Sequence, residues 1–135
     1  MVTNYYDLQT HDFKIIQGDT VNLPFDFLNP SNEALNITSY GIKFSLADPV
    51  TGAILISKEH DDVPVGGEGI YFNGDSEIPS GLTIDAVNKL IVVLTSVDTA
   101  ALNEGSYPFD LEFTSGSNKF TPVTGFVQVK KQVTA

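Results

Sequence analysis

Two carboxylates on one predicted strand are the residues best placed for acid–base chemistry. Asp110 and Glu112 are two positions apart, so an extended chain puts both on one face, about 7 Å from each other. Glycosidases cleave sugars with such a carboxylate pair. Any exposed strand face offers the same pair, and nothing in the sequence raises one pKa above the other. We therefore interpret both as solvated residues or as salt-bridge partners across an interface.

The densest charged segment surrounds His60 and could hold a hard cation such as Ca²⁺, which prefers several oxygen ligands from a flexible loop. The oxygens would come from Glu59, Asp61, Asp62 and Glu68. The spacing of an EF-hand is absent, and neither His60 nor His11 has a second histidine at a metal-ligand spacing. We interpret the segment as a solvated loop, and we expect no metal site and no cofactor.

A nucleophilic site would need a serine or cysteine beside a base. The chain has no cysteine. Ser57, Lys58 and His60 are close in sequence, but neighbours on a strand point to opposite faces, and no Gly-x-Ser-x-Gly turn is present. A glycine-rich segment, with Gly66, Gly67 and Gly69, superficially resembles a phosphate-binding loop. It lacks the Gly-Lys-Thr sequence with which such a loop ends. We expect no catalytic residues and no enzymatic activity.

The charge balance of the 135-residue chain limits its partners. It has 17 acidic and 7 basic residues, for a formal net charge of -10. Nucleic acids and anionic membranes would be repelled, so neither is an expected partner. The start of the chain is polar and lacks the basic and apolar regions of a signal peptide. We expect synthesis in a cytoplasm without export by that route.

The elements that would position these residues are short strands. The clearest pattern lies in residues 103–130, where Tyr107, Phe109, Leu111 and Phe113 alternate with polar residues or proline before a turn at 115–118. This period of two predicts a β-hairpin with one buried face. Further strands are predicted at residues 12–17, 21–28, 40–48, 53–58, 69–73 and 89–95.

A buried strand and a helical turn are predicted in the consecutive segments 89–95 and 96–102. The aliphatic run at 89–95 predicts a central strand buried on both faces. Residues 96–102 carry the one helical signal, with Ser96 as the expected N-cap. We expect this helical turn to cross from one sheet to the other.

Together these patterns predict an all-β fold: an antiparallel, immunoglobulin-like β-sandwich of about eight short strands, with a small barrel as the competing architecture. The predicted organisation is an N-terminal arm at 1–11, a sandwich domain at 12–131 and a C-terminal tail at 132–135. Most aromatic residues fall at core positions of the strands. Tyr5, Tyr6 and Tyr71 do not, and we expect them to contact another subunit.

Several segments of the chain resemble a known family. They are the Gln-Gly-Asp-Thr segment at 17–20, Leu-Asn-Ile-Thr-Ser-Tyr at 35–40 and Gly-Ser-Tyr-Pro-Phe-Asp-Leu-Glu at 105–112. In this order they resemble the small Ig-like domains of tailed-bacteriophage virions, as in the N-terminal domain of upper baseplate proteins. The resemblance covers roughly residues 12–130.

The resemblance implies a structural, non-catalytic virion protein that binds other virion proteins in capsid decoration, neck, tail or baseplate, as a homo-oligomer or in many copies. An unpaired sheet edge or the N-terminal arm could add a strand to such a neighbour. Two alternatives stay open: a carbohydrate-binding or adhesin module that recognises a host surface glycan, and an enzyme on a β scaffold.

Overall fold

The computed structural model describes residues 9–28, 31, 33–60, 69–75 and 78–133. In this part of the chain, eight strands and one short helix form two sheets. In chain order the elements are β1 (Gln9–Ile16), β2 (Val21–Asp26), β3 (Gly41–Ala47), β4 (Ile54–His60), β5 (Ile70–Phe72), β6 (Lys89–Leu94), α1 (Ser96–Ala100), β7 (Gly105–Ser115) and β8 (Asn118–Lys130). The predicted all-β class is confirmed.

The strands divide into a five-stranded sheet, β1-β8-β7-β3-β4, and a three-stranded sheet, β2-β6-β5. The β7–β8 hairpin has the predicted alternation, and Gly116 in its turn has a φ of 61°. One pairing differs from the antiparallel prediction: β1 lies parallel to β8, with Gln9 opposite Val123. The strand also begins at Gln9 rather than at residue 12. Almost the whole chain separates β1 from β8, so no local sequence pattern specifies this pairing.

Phenylalanine rings from both sheets fill the space between them. Phe25 of β2 lies 6.1 Å from Phe109 of β7 between ring centroids, and Phe27 lies 5.0 Å from Phe113. The fully buried phenylalanines are Phe25, Phe27, Phe44, Phe72 and Phe113. Burying each of these rings stabilises the fold by about 2–3 kcal/mol, so this aromatic core holds the two sheets face to face.

The central strand β6 differs from its prediction. Its alternate residues Leu90, Val92 and Leu94 are buried in the core. Ile91 and Val93 are only half-buried, because they point away from the core on a sheet of three strands. The prediction of burial on both faces was therefore wrong.

Helix α1 carries the chain from the three-stranded sheet to the five-stranded sheet, as predicted. Its N-cap is Thr95 and not Ser96. The Thr95 hydroxyl accepts a hydrogen bond from the amide of Asp98, while the Asp98 carboxylate accepts one from the amide of Thr95. This reciprocal capping box satisfies two amides that the first turn leaves unpaired.

The Asp98 carboxylate also ties α1 to β4. The Lys58 Nζ lies 2.7 Å from Asp98 Oδ2, and both side chains are mostly buried. Burial of the Asp98 carboxyl opposes its ionisation, but the hydrogen bond and charge of Lys58 and the amide of Thr95 outweigh that effect and lower the pKa of Asp98. The ionised form is thus favoured by folding.

We expect the substitution Asp98→Asn to destabilise the protein by about 1 kcal/mol at neutral pH, since the charge on the Lys58 contact is lost. Because folding lowers the pKa, this stabilisation is complete above the ordinary aspartate pKa of about 3.9 and is lost as pH falls through the lower folded value. Urea unfolding of both proteins from pH 7 to pH 2 measures it. If the two proteins differed equally in free energy of unfolding at pH 7 and at pH 2, the ion pair would not be the source of the stabilisation.

Gly125 of β8 lies directly opposite His11 of β1. A Cβ atom at this position would collide with the backbone carbonyl of His11 on β1 and would lie 2.9 Å from the ring of Phe109. Only glycine leaves room for both neighbours. Gly125 is therefore the residue that allows the parallel β1–β8 pair to form over the aromatic core.

Candidate functional site

A concave surface lies on the outer face of the five-stranded sheet, the side that points away from the core. It is a shallow groove of about 370 Å³, called here the outer groove. All five strands contribute to it. Its lining residues are Thr10, Ser45, Ala47, Ile54, Pro108, Phe109, Asp110, Thr124, Gly125 and Phe126.

Strand register arranges the outer groove as two rows that run across the sheet. In the polar row, Asp110 lies opposite Ser45 on one side and Thr124 on the other, and Thr124 in turn pairs with Thr10. The row thus places hydroxyl groups beside one central carboxylate. A ligand in the groove would meet several hydrogen-bonding groups and a single charge.

The second row is apolar. Phe126 pairs with Pro108, and Ala47 pairs with Ile54 at the edge of the sheet. Phe126 is 47% exposed and Ile54 is 57% exposed. Large apolar side chains left in water on one face are a feature of surfaces that another molecule covers.

Asp110 is half-buried in the outer groove and makes no hydrogen bond or salt bridge to any residue that the structure describes. Burial raises its pKa, the nearby charge of Glu112 raises it further, and the charge of Lys43 acts in the opposite direction. Nothing in the sequence indicated that one of the two carboxyl pKa values would be raised above the other; that expectation was wrong, because the pKa of Asp110 is raised. Its carboxylate would gain from a cation placed above the groove.

Next to the groove, Lys43 of β3 lies between two glutamates, Glu59 on β4 and Glu112 on β7. The Lys43 Nζ is 3.8 Å from the Glu59 carboxylate, and both side chains are at least half exposed. Exposed pairs of this kind contribute little to stability. Lys43 makes no salt bridge to Asp110, so its charge acts on that carboxyl only from a distance.

The three residues considered for nucleophilic chemistry are not brought together. Ser57 is exposed on β4, the Lys58 ammonium contacts Asp98, and the His60 side chain is fully buried. None of these contacts places a base on the serine hydroxyl. They supply no nucleophile–base pair.

A buried pair of ionisable residues is the feature that the sequence did not reveal. His60 Nε2 lies 2.8 Å from both carboxylate oxygens of Asp75, and both side chains are fully buried. The amide of Phe72 donates to Asp75 Oδ2 at 2.9 Å, and the Phe72 ring lies 3.8 Å from the imidazole. The prediction of a solvated loop at His60 was wrong, because β4 continues to His60 opposite Ile42.

This histidine–aspartate pair connects the last residue of β4 to the turn after β5, and so links the two sheets. The alternation of β4 could have indicated that His60 is buried. Ile56 is buried, and His60, four residues later on the same strand, lies on the same face. No sequence pattern indicated Asp75 as its partner, since the contact is set by how the sheets stack.

The carboxylates considered as cation ligands are only partly described. Glu59 is exposed on β4, whereas Asp61, Asp62 and Glu68 lie outside the described residues. Among the residues that the structure describes, no group of three or more His, Asp or Glu side chains is arranged to hold a metal ion.

The tyrosines expected at an interface are not at the outer groove. Tyr5 and Tyr6 lie outside the described residues. Tyr71 is half-buried in the middle of β5, opposite Ile91, on the three-stranded sheet. The exposed aromatic residue of the outer groove is Phe126, which the sequence did not single out.

Comparisons with known proteins do not identify the chain. No protein-family model matches it, and no curated protein matches it significantly. Within the described ranges, no helix is long and apolar enough to span a membrane.

Proposed function

We propose that this chain is an Ig-like, non-catalytic structural protein of a tailed-bacteriophage virion. In this proposal it binds neighbouring virion proteins in capsid decoration, neck, tail or baseplate, and it does so through the outer face of the five-stranded sheet. The observation that carries the proposal is the outer groove, where Phe126 and Ile54 are exposed beside Asp110, a carboxylate with no hydrogen-bond or salt-bridge partner among the described residues.

The strand arrangement supports the Ig-like part of the proposal. Strands β8, β7, β3 and β4 share one sheet and β2, β6 and β5 the other, in the manner of a variable-type Ig sandwich. The Tyr107 hydroxyl near the start of β7 donates to the carbonyl of Asn103 at 2.8 Å. A tyrosine at this corner, bonded to the backbone a few residues earlier, is a hallmark of such sandwiches.

The segments that carry the family resemblance have structural roles, which supports a shared fold. In the first segment, the Gly18 amide donates to the buried Thr99 hydroxyl, which donates to the carbonyl of Asp19 at 2.7 Å. In the second, the Asn36 carboxamide oxygen accepts from the amide of Thr38. The third contains the Tyr107 corner. Each segment fixes one junction of the sandwich.

The edges of the sheets favour binding through a face over binding by strand addition. Pro24 lies in the edge strand β2, and Leu55 is an extra, unpaired residue in the edge strand β4. The edge strand β5 has three residues, and β1 presents Asp12 and Lys14. Prolines, bulges, short edges and charges all discourage pairing with another chain.

Association with particles tests the proposal. We expect the chain to copurify with tailed-phage particles through a density gradient at a fixed copy number, and to rebind particles from which it was omitted. The substitution Phe126→Ala should weaken rebinding, whereas Tyr71→Ala on the opposite sheet should not. Failure of the unmodified protein to associate with particles would contradict the proposal.

Carbohydrate recognition is the second candidate, favoured by the exposed Phe126 ring beside the hydroxyls of Ser45 and Thr124 and the carboxylate of Asp110. An aromatic ring with a few polar groups around it is a common arrangement for binding a small ligand. Retention on a glycan array that Phe126→Ala abolishes, together with no binding to particles, would favour this alternative.

A further inference from the structure

We infer that the outer face of the five-stranded sheet is self-complementary and docks onto the same face of a second copy of this chain, with a lysine of each copy paired to Asp110 of the other. The inference rests on the proposed use of this face as the docking surface and names its occupant. Three observations lead to it: the distribution of charge, the absence of a salt bridge from Asp110 to any described residue, and the apolar row.

Charge is distributed unequally over the molecule. Among the residues that the structure describes, the strands of this sheet direct four lysines and four acidic residues to its outer face. They are Lys14, Lys43, Lys119 and Lys130, and Asp12, Glu59, Asp110 and Glu112. These side chains have a formal charge of zero in sum, whereas the whole chain has a formal net charge of -10. Two such acidic molecules meet with the least repulsion through the balanced face.

On the same face, one anion and three cations have no salt-bridge partner among the residues that the structure describes. Asp110 is half-buried without a salt bridge among the described residues. Lys14, Lys119 and Lys130 are exposed and likewise form no salt bridge within the described part of the chain. Because they lie toward the two ends of the sheet and Asp110 lies in the groove, they cannot pair within one copy. A second copy can supply the missing cation.

The apolar row provides the contact area. Phe126 and Ile54 are about half exposed, and Pro108 and Ala47 lie between them. In a pair of facing sheets, the row of one copy would cover that of the other and remove these side chains from water. Charge balance alone would not hold two copies together, so this row supplies the attraction.

The size of the face indicates a weak dimer. Five strands spaced about 4.8 Å apart and about 20 Å long cover roughly 500 Å². Stable complexes bury about 800 Å² on each partner. We therefore expect reversible association in solution, strengthened where several copies are held close together on a particle.

Sedimentation velocity over a wide concentration range tests the inference. The unmodified protein should show a monomer–dimer equilibrium, and Asp110→Lys should raise the dissociation constant about tenfold or more. The matched control is Asp26→Lys, the same charge change at an exposed position on the opposite sheet. Both substitutions make the chain less negative, so a general loss of repulsion would strengthen association in both. The proposal expects weakening for Asp110→Lys alone.

A second pair of variants, in which the positive and negative charges of the outer face are exchanged, tests the inference even if Asp110→Lys alone loses stability. The combined variant Lys14→Glu, Lys119→Glu and Lys130→Glu changes exposed side chains only. This triple variant should not self-associate. It should form a heterodimer when it is mixed with a double variant that carries both Asp110→Lys and Glu112→Lys. Thermal unfolding of each variant checks that it is folded.

The outcomes separate this inference from the proposed function. A protein that stays monomeric at every concentration but binds particles overturns the self-docking inference and leaves the structural role intact. A protein that dimerises as described but ignores particles overturns the structural role and leaves self-docking intact. Equal weakening by Asp110→Lys and Asp26→Lys would also overturn the inference, because the two positions lie on opposite sheets.

Discussion

The substitution Asp75→Ala is expected to lower the free energy of unfolding by about 3–5 kcal/mol, the usual cost of removing one member of a buried pair. His60 would keep its buried position but lose both of its 2.8 Å contacts to the carboxylate. The Phe72 amide would lose its acceptor as well. Chemical denaturation followed by circular dichroism measures the change.

The exposed pair of Asp85 and Lys89 provides the control for this prediction. Its charged atoms are 3.5 Å apart on the surface, and Asp85→Ala should cost less than about 0.5 kcal/mol. The single and double alanine variants of His60 and Asp75 should also be strongly non-additive, because they remove the same contact. Equal costs for Asp75→Ala and Asp85→Ala would contradict the role of the buried pair.

The substitution Gly125→Ala should destabilise the protein by about 3 kcal/mol, since the added methyl group meets the His11 carbonyl on β1 and the Phe109 ring. The backbone of β1 cannot rotate away as a flexible side chain can, so the strand must move. Hydrogen exchange should show faster exchange of the β1 amides that pair with β8. Equilibrium unfolding gives the overall change.

Gly41 in the same sheet is the matched control. A Cβ atom there would find its nearest neighbour, the carbonyl oxygen of His60, at 3.8 Å, which is an ordinary contact. We expect Gly41→Ala to change stability by no more than about 0.5 kcal/mol. If both substitutions had the same small effect, close packing of β1 on Gly125 would not be what limits this position.

The local pattern of apolar and polar residues was sufficient to predict where most strands lie in the sequence. The alternation of Tyr107, Phe109, Leu111 and Phe113 placed β7 correctly, because the buried side of a strand is encoded at every second residue. The helical turn was also placed, and its cap differed by one residue since Thr95 and Ser96 both carry a suitable hydroxyl. These features depend on residues adjacent in the chain.

Features that depend on distant segments were not predictable in the same way. The parallel β1–β8 pairing joins opposite ends of the chain, and the His60–Asp75 contact depends on how two sheets stack. The pKa of Asp110 rises because burial in the sheet limits its access to water and because the charge of Glu112 lies nearby. A single sequence shows the residue types at such sites but not their neighbours in space.

The outer groove was missed for a related reason. Asp110 was identified as a residue that could do chemistry, but its position in a row with Ser45 and Thr124 depends on three strands in register. The alternation of β8 places Phe126 among the outward-facing residues. Its exposure indicates a binding surface only because Pro108 and Ile54 lie in the same apolar row. The site belongs to the assembled sheet and not to any one segment.

Hydroxyl-radical footprinting tests the central claim, docking through the outer face, most directly. Phe126 on the outer face and Tyr71 on the other sheet both carry oxidisable rings and serve as paired reporters. Comparing the free protein with the protein in assembled particles, we expect oxidation of Phe126 to fall while that of Tyr71 stays unchanged. Protection of Tyr71 with Phe126 still fully reactive would contradict the claim.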